Sequence, residues 1–328
     1  MNSIRKYLTF ALGSICGFTG AAVQAQAPSE SFPNKPVHII VSFAPGGGVD
    51  QVARILGTEL AKLWNQPVVI DSRPGAGGMI GAEMTSKAAP DGYLVQISTP
   101  NSDTLGPLLM KPRYDTLRDF TPITLAVQVP NVLVVNPNLP VKTMKELVDL
   151  AKSKPGSLSF ASSGPGSIQQ LGGEAFNAMT GAQAVHVPYK GSGAAIIDLV
   201  AGIVPMSFET SGTALPFIRS GKLRALAVLA SHRSDMMPDV PTSAEAGFPG
   251  FEFSTWYGVT GPAGMPADIT AKWQQSIAKV LQQPAVQERV KQMGGKAVAN
   301  TPEQFKAFRE QEYERVGKIV KQMGMKGE

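Results

Sequence analysis

Between residues 161 and 171 the chain reads Ala-Ser-Ser-Gly-Pro-Gly-Ser-Ile-Gln-Gln-Leu. This stretch follows an apolar run at 158–160 and opens onto 171–179, whose apolar residues have helical spacing. The order expected is strand, tight turn, helix start. Backbone N–H groups at a helix start have no partner within the helix, and the helix dipole favours negative charge there. Serine hydroxyls beside them add donors, so the chemistry suggested is the holding of a carboxylate or phosphate. The dipole is worth only ~0.3–1 kcal/mol, or up to ~2 when partly buried, so useful affinity needs a second wall. Phe43-Ala-Pro-Gly-Gly-Gly-Val-Asp50 offers one, again after an apolar strand and before a helix. Taken alone, 161–171 reads equally well as a connecting turn; the upstream counterpart favours a site.

Other chemistry finds little support. Gly75-x-Gly77-x-x-x-Gly81 places its third glycine one position late for a dinucleotide loop. Gly46-Gly-Gly48 lacks the Gly-Lys-Ser/Thr of a phosphate-binding P-loop, and no Gly-x-Ser-x-Gly elbow occurs. His38, His186 and His232 have no metal-ligand spacing. No enzyme activity, cofactor or metal is expected. The net charge of +5 falls to +3 without the two cations of the leader, Arg5 and Lys6, and is too dispersed for nucleic acid.

That leader has a charged start, an apolar run over 8–22 and a small-x-small site, Val23-Gln-Ala25. Residues 1–25 are expected to be a signal peptide, with export to the periplasm. A membrane anchor is the alternative, but the run is short and broken by glycines. Cys16, the single cysteine, lies inside the leader after Ile15, which argues against a lipid anchor. The mature chain would then have no disulfide, thiolate or cysteine–zinc site.

The elements that must position the two loops alternate. Strands are expected over 37–43, 68–70, 93–97, 132–135, 158–160, 184–187, 204–208 and 223–229. Helices are expected over 49–64, 79–88, 143–153, 192–201, 266–282 and 302–323. Val52, Ile55, Leu56, Leu60 and Leu63 share one face of the first helix. Thr143 with Glu146 three residues on is a capping-box pattern. Strands alternating with helices predict an α/β fold with a parallel sheet. Residues 209–212 read as a loop, and Trp256 and Tyr257 as core packing.

Several segments carry a resemblance over nearly the whole mature chain. They include Phe32-Pro-Asn-Lys-Pro-Val-His-Ile-Ile-Val-Ser-Phe-Ala-Pro-Gly-Gly-Gly48, Ser72-Arg-Pro-Gly-Ala-Gly-Gly78 and Ala88-Ala-Pro-Asp-Gly-Tyr93. Ala161-Ser-Ser-Gly164, Val185-His-Val-Pro-Tyr-Lys-Gly191, Gly221-Lys-Leu-Arg-Ala-Leu-Ala227 and Asp239-Val-Pro-Thr242 continue it in order. The chain resembles the Bug-type extracytoplasmic solute receptors, the substrate-binding subunits of tripartite tricarboxylate transporters. The resemblance implies a type II periplasmic binding protein fold, two αβ domains with a ligand cleft between them. One domain would combine 26–125 with 231–328 and the other would be 126–230, with crossings near 127–131 and 230–233.

It also implies a monomeric receptor that binds a small carboxylate, whether di- or tricarboxylate, amino acid or aromatic acid. The receptor would deliver that ligand to membrane permease subunits, or present it to the outer domain of a membrane sensor. The first wall would be Phe43, Ala44, Gly46, Gly47 and Gly48, and the second Ser162, Ser163, Gly166 and Ser167. Ser98, Thr99 and Asn101 would line the same cleft. Tyr189, Glu209 and Thr210 would sit at the far end, where ligand identity is chosen. Many relatives have Pro in place of Ser42, a polar residue in place of Pro165, His in place of Gln170 and Asp-Asn in place of Glu209-Thr210. Glu209 is therefore either an acceptor for a ligand ammonium or hydroxyl, repelling a second carboxylate, or a solvated loop acid. Arg73 is either a carboxylate ligand or a brace on the 75–78 loop.

Overall fold

The structure is a computed structural model that describes Phe32–Gly324, so the expected leader, its cleavage site and Cys16 lie outside the described residues. In chain order, β1 (Val37–Val41), α1 (Gly48–Trp64), β2 (Val68–Ser72), α2 (Met79–Ser86) and β3 (Leu94–Ser98) open the fold. A π-helical turn (Asn101–Leu105), α3 (Gly106–Met110) and the 16-residue β4 (Phe120–Val135) follow. Next come α4 (Met144–Ser153), β5 (Ser159–Ser162), α5 (Ile168–Thr180), β6 (Val185–Pro188), α6 (Ser192–Ala201), β7 (Met206–Thr210), α7 (Ser211–Arg219) and β8 (Arg224–Val228). The chain ends with β9 (Ser254–Pro262), α8 (Ala267–Leu281), α9 (Pro284–Gln292), β10 (Lys296–Ala297) and α10 (Pro302–Met323).

The strands run in the order β2-β1-β3-β9-β4-β7-β5-β6, with β8 and β10 each beside β4. The expected parallel sheet holds only on the flanks, where β2-β1-β3 and β7-β5-β6 are parallel. The centre is antiparallel: β9 opposes β3 and β4, and β4 opposes β7 and β8. None of these antiparallel pairs joins strands that follow one another through a helix, so the rule that makes such neighbours parallel does not bind them.

One strand joins two half-sheets. Residues from Phe120 to Pro130 pair with β9, and those from Asn131 to Val135 pair with β7 and β8. Asn131, fully buried, is the joint. Its backbone N–H donates to Phe253 O, its carbonyl accepts from Leu229 N–H, its amide donates to Phe208 O at 2.8 Å, and its Oδ1 accepts from Thr255 Oγ1 at 2.9 Å. The segment after β8 stays on the second half: Val228 N–H donates to Pro241 O and Val228 O accepts from Ser243 N–H, and Phe251 and Phe253 join the Phe160–Phe176–Phe208 core.

Local chemistry sets the helices. The first buries Val52, Ile55, Leu56 and Leu60, and ends on Asn65 in the left-handed region at φ 51°. Thr143 caps α4 through the Glu146 N–H, but the Glu146 carboxylate accepts from Lys142 N–H rather than from the capping residue. Thr301 and Gln304 form the full capping box of α10. That helix packs Phe305 edge-on against Trp256 and Val316 into the cluster holding Leu105 and Phe208, so it touches the cores of both halves.

Candidate functional site

The C-terminal ends of β1 and β3 face the β5–α5 turn and the end of β7, with β9 between. Ligands of open α/β sheets gather at such strand ends. Here they enclose a cavity of about 340 Å³, counting its open mouth. Phe43, Gly47, Gly48 and Val49 line it from the β1–α1 loop, and Thr99 and Asn101 from the end of β3. Ser163, Ile168, Gln169, Ser192 and Thr210 line it from the other half-sheet, and Thr255 and Tyr257 from β9. None of these side chains is charged.

The open donors sit at the start of α1. Gly47 is in the N-cap position with extended backbone and no side-chain cap, so the first N–H groups of this 17-residue helix lack partners within it. Asp50 is turned away, accepting from Gly46 N–H at 3.1 Å and from Arg54 Nε at 2.9 Å. Gly48 is glycine for a steric reason: a Cβ there would collide with the Tyr257 hydroxyl. Burial, and then the nearby Glu209, push the Tyr257 phenol well up from its usual range, so it remains a hydrogen-bond donor.

The serine turn differs from the expectation of free donors. Ser162 Oγ lies 2.6 Å from His186 Nε2 and accepts from Gly164 N–H at 3.1 Å. Ser167 caps α5, accepting from Gln170 N–H, and Gly166 N–H donates to Gln170 Oε1 at 2.8 Å. Ser162, Gly166 and Ser167 do not line the cavity, and their polar groups are taken up by His186 and by Gln170. Ser163 does line it, but donates to Gln169 Oε1 at 2.9 Å and accepts from Asn101 Nδ2 at 3.0 Å. Asn101 Oδ1 also takes the Ile168 N–H, the first donor of α5. Together with Ala44 N–H donating to Lys190 O at 3.4 Å, these bonds hold the two half-sheets together across the cleft.

The remaining expected residues divide. Thr99 and Thr210 line the cavity, and Thr99 Oγ1 has no hydrogen-bond partner. Ser98 is buried outside it, also with an unpartnered hydroxyl. Ala44 and Gly46 support the loop through backbone bonds without lining the cavity. Tyr189 lines a neighbouring outer chamber, where its hydroxyl donates to Asp198 at 2.8 Å; burial and that acid push its phenol up to about 12. Arg73 lines neither space, and its guanidinium pairs with Asp71 at 2.8 Å on the surface.

Of the two readings left open for Glu209, one fails. It is not a solvated loop acid but the fully buried penultimate residue of β7. Its Oε1 accepts from Thr210 N–H at 2.8 Å and Gln169 Nε2 at 3.2 Å, while Oε2 has no partner. Burial pushes its carboxyl above the ordinary 4.5, against the opposing pull of the Ser192 side chain, then the Thr210 N–H and Gln169. A raised carboxyl pKa in the fold favours stability at low pH, and that contribution is lost as pH climbs past 4.5 through the folded value. Glu209→Gln is expected to gain in melting temperature relative to the native chain as pH rises from 4.5 to 8, measured by calorimetry at matched ionic strength. A constant gap would contradict this.

Sequence reasoning missed Val49, Ile168, Gln169, Ser192, Thr255 and Tyr257. Gln169 carries the most structure, since its amide joins Ser163, Ser192 and Glu209. Its place in the first turn of α5 was the available signal. Tyr257 follows Trp256 on a strand buried on both faces, where alternation says nothing. Among the described residues, no group of three or more His, Cys, Asp or Glu side chains could hold a metal ion, and no helix is long and apolar enough to cross a membrane.

The family described as tripartite tricarboxylate transporter family receptor matches residues 52–325. BugT of Bordetella pertussis is 39% identical over 308 residues, 93% of this chain and 94% of its own. The solved structure of the periplasmic binding protein BugD superposes with a TM-score of 0.87 at 32% identity, covering 90% of this chain and 100% of that one. The R. palustris protein Rpa4515, solved with adipate, gives 0.88 at 32% identity, with coverage of 90% and 100%. The fold is thus the periplasmic binding protein fold, two αβ domains with the cleft between them.

Proposed function

Because the chain belongs to the tripartite tricarboxylate transporter receptor family, we propose that it is a periplasmic receptor that closes on a small carboxylate and delivers it to the membrane permease of such a transporter. The observation that carries this reading is the start of α1. There the uncapped N–H groups of Gly48 and Val49 and the Tyr257 hydroxyl border a cavity with no charged side chain. A carboxylate seated there gains the helix dipole and charge-assisted hydrogen bonds, each worth ~1.5–3 kcal/mol. Adipate in a relative of the same fold supports the ligand class. No acid–base pair faces the cavity, which suits carriage rather than catalysis.

The lobes we assign are residues up to Pro130 with those from Ser254 onward, and Asn131 to Phe253. In this assignment the first crossing lies at 130–131 and the second at 253–254 instead of 230–233; what supports the second is that 240–253 pack against β8 and the Phe208 core. The expected leader over 1–25 fits a periplasmic address.

The test is a thermal-shift screen of the mature protein, unfolded and refolded to strip carried-over ligand. The panel holds aliphatic di- and tricarboxylates, amino acids and aromatic acids, each beside its amide. A ligand at about a hundred times its dissociation constant adds ~2.7 kcal/mol of stability. One acid should raise the melting temperature while its amide does not. An equal shift from acid and amide, or none from any acid, would overturn the assignment.

A further inference from the structure

The cavity at α1 opens onto a second, larger space. An outer chamber of about 860 Å³, counting its open mouth, adjoins it. Phe43 and Ser163 line both spaces and so mark the passage between them. The outer walls are the 75–78 glycine loop on one side and Pro188, Tyr189 and Lys190 on the other.

The two spaces differ in charge. The inner cavity has no ionisable side chain other than the Tyr257 phenol, and behind its Gln169 and Thr210 wall stands Glu209. That carboxyl is fully buried, with one oxygen unpartnered and no ion pair to any cation. A second carboxylate pushed inward would stand next to it with no compensating charge, which is costly in a low-dielectric interior. Outward, Lys190 is the one charged side chain among the described residues lining either space. It is exposed and makes no ion pair among the described residues. The neighbouring acid, Asp198, accepts the Tyr189 hydroxyl.

We propose that the outer chamber is a second subsite, in which Lys190 receives the far carboxylate of an extended dicarboxylate whose near carboxylate sits at the start of α1. The inference rests on the carboxylate reading of the inner cavity and adds a direction to it. The ligand's chain passes between Phe43 and Ser163, and its second charge faces outward rather than toward Glu209. Lys190 is then a specificity residue for chain length and for the second charge. Its main chain is fixed against the opposite wall by the Ala44 N–H, which donates to its carbonyl, so the side chain is rooted at the wall of the outer chamber.

Titration calorimetry on the full mature chain tests it. The probes are succinate, glutarate, adipate and suberate, each beside the monoacid of equal length, with the native chain, Lys190→Gln and Lys190→Arg. The ratio of diacid to monoacid affinity should rise with chain length in the native chain. In Lys190→Gln that ratio should fall three- to tenfold for the longest diacid bound, be restored by Lys190→Arg, and narrow as salt screens the exposed cation. An unchanged ratio in Lys190→Gln, with acids still bound, would overturn the subsite and leave the inner site standing. Failure of the native chain to bind any of these acids would overturn the subsite, while the thermal-shift panel with its tricarboxylates, amino acids and aromatic acids decides the inner site.

Discussion

Gly48→Ala is expected to lower carboxylate affinity by roughly a hundredfold while the protein still folds. The added methyl would meet the Tyr257 hydroxyl, with the ring carbon behind it at 3.1 Å. Either the tyrosine or the helix start must move, and both form the anion seat. Overpacking of this kind costs ~1–3 kcal/mol, and displacing a charge-assisted bond ~1.5–3, where 1.4 kcal/mol is tenfold in affinity. Folding should survive, because Gly48 has ordinary helical backbone and alanine is the better helix former there. Tyr257→Phe in the Gly48→Ala background gives back part of the space, so the double variant should lose less than the sum of the two single losses. Calorimetric titration of all three variants reads this directly. Unaltered affinity in Gly48→Ala would remove the start of α1 from the site.

The two loops of this site were legible because each follows an apolar strand and opens a helix, and those helices carry clear apolar faces. Which donors remain free in them was not. The partners that occupy the serine turn come from far along the chain: Asn101 reaches Ser163 over 62 residues, and His186 reaches Ser162 over 24. Local spacing cannot register either. The long β4 was read only at its last four residues, because Pro122 and Pro130 break the pattern of a central strand. In the fold, a register shift follows Pro122, and Pro130 sits where the strand changes partners. One of the two readings of Glu209 was a loop acid, because a charged residue before Thr-Ser-Gly normally marks a turn. The strand instead runs on into the interior, and the carboxyl is held by Gln169 and the next backbone N–H.

Arg309→Ala is expected to have the largest effect on stability. Arg309 and Asp103, both almost wholly buried, pair at 2.6 Å, and the guanidinium also donates to the Thr116 carbonyl. Burial pushes the Asp103 carboxyl up, opposed by the pull of Arg309. Removing the cation leaves a buried carboxylate and a carbonyl uncompensated, which costs ~3–5 kcal/mol. For a unit of this size that is a fall of roughly 5–8 °C in melting temperature. Arg309→Met with Asp103→Leu should recover most of it, since exchanging a whole buried pair for apolar groups is often neutral. The pair also fixes the 101–105 turn, so the single variant should bind ligand more weakly than its loss of stability alone explains. Chemical denaturation read by circular dichroism checks the first part. A midpoint indistinguishable from the native chain would show that the pair contributes nothing net.

The most direct measurement is a crystal structure of the mature protein with the acid that gives the largest thermal shift. The account predicts one carboxylate within hydrogen-bond reach of the Gly48 and Val49 N–H groups and the Tyr257 hydroxyl, with Asn101 and Ser163 closed beside it. A carboxylate held instead by Ser162, Gly166 and Ser167, or a ligand whose acid end points away from α1, would contradict it.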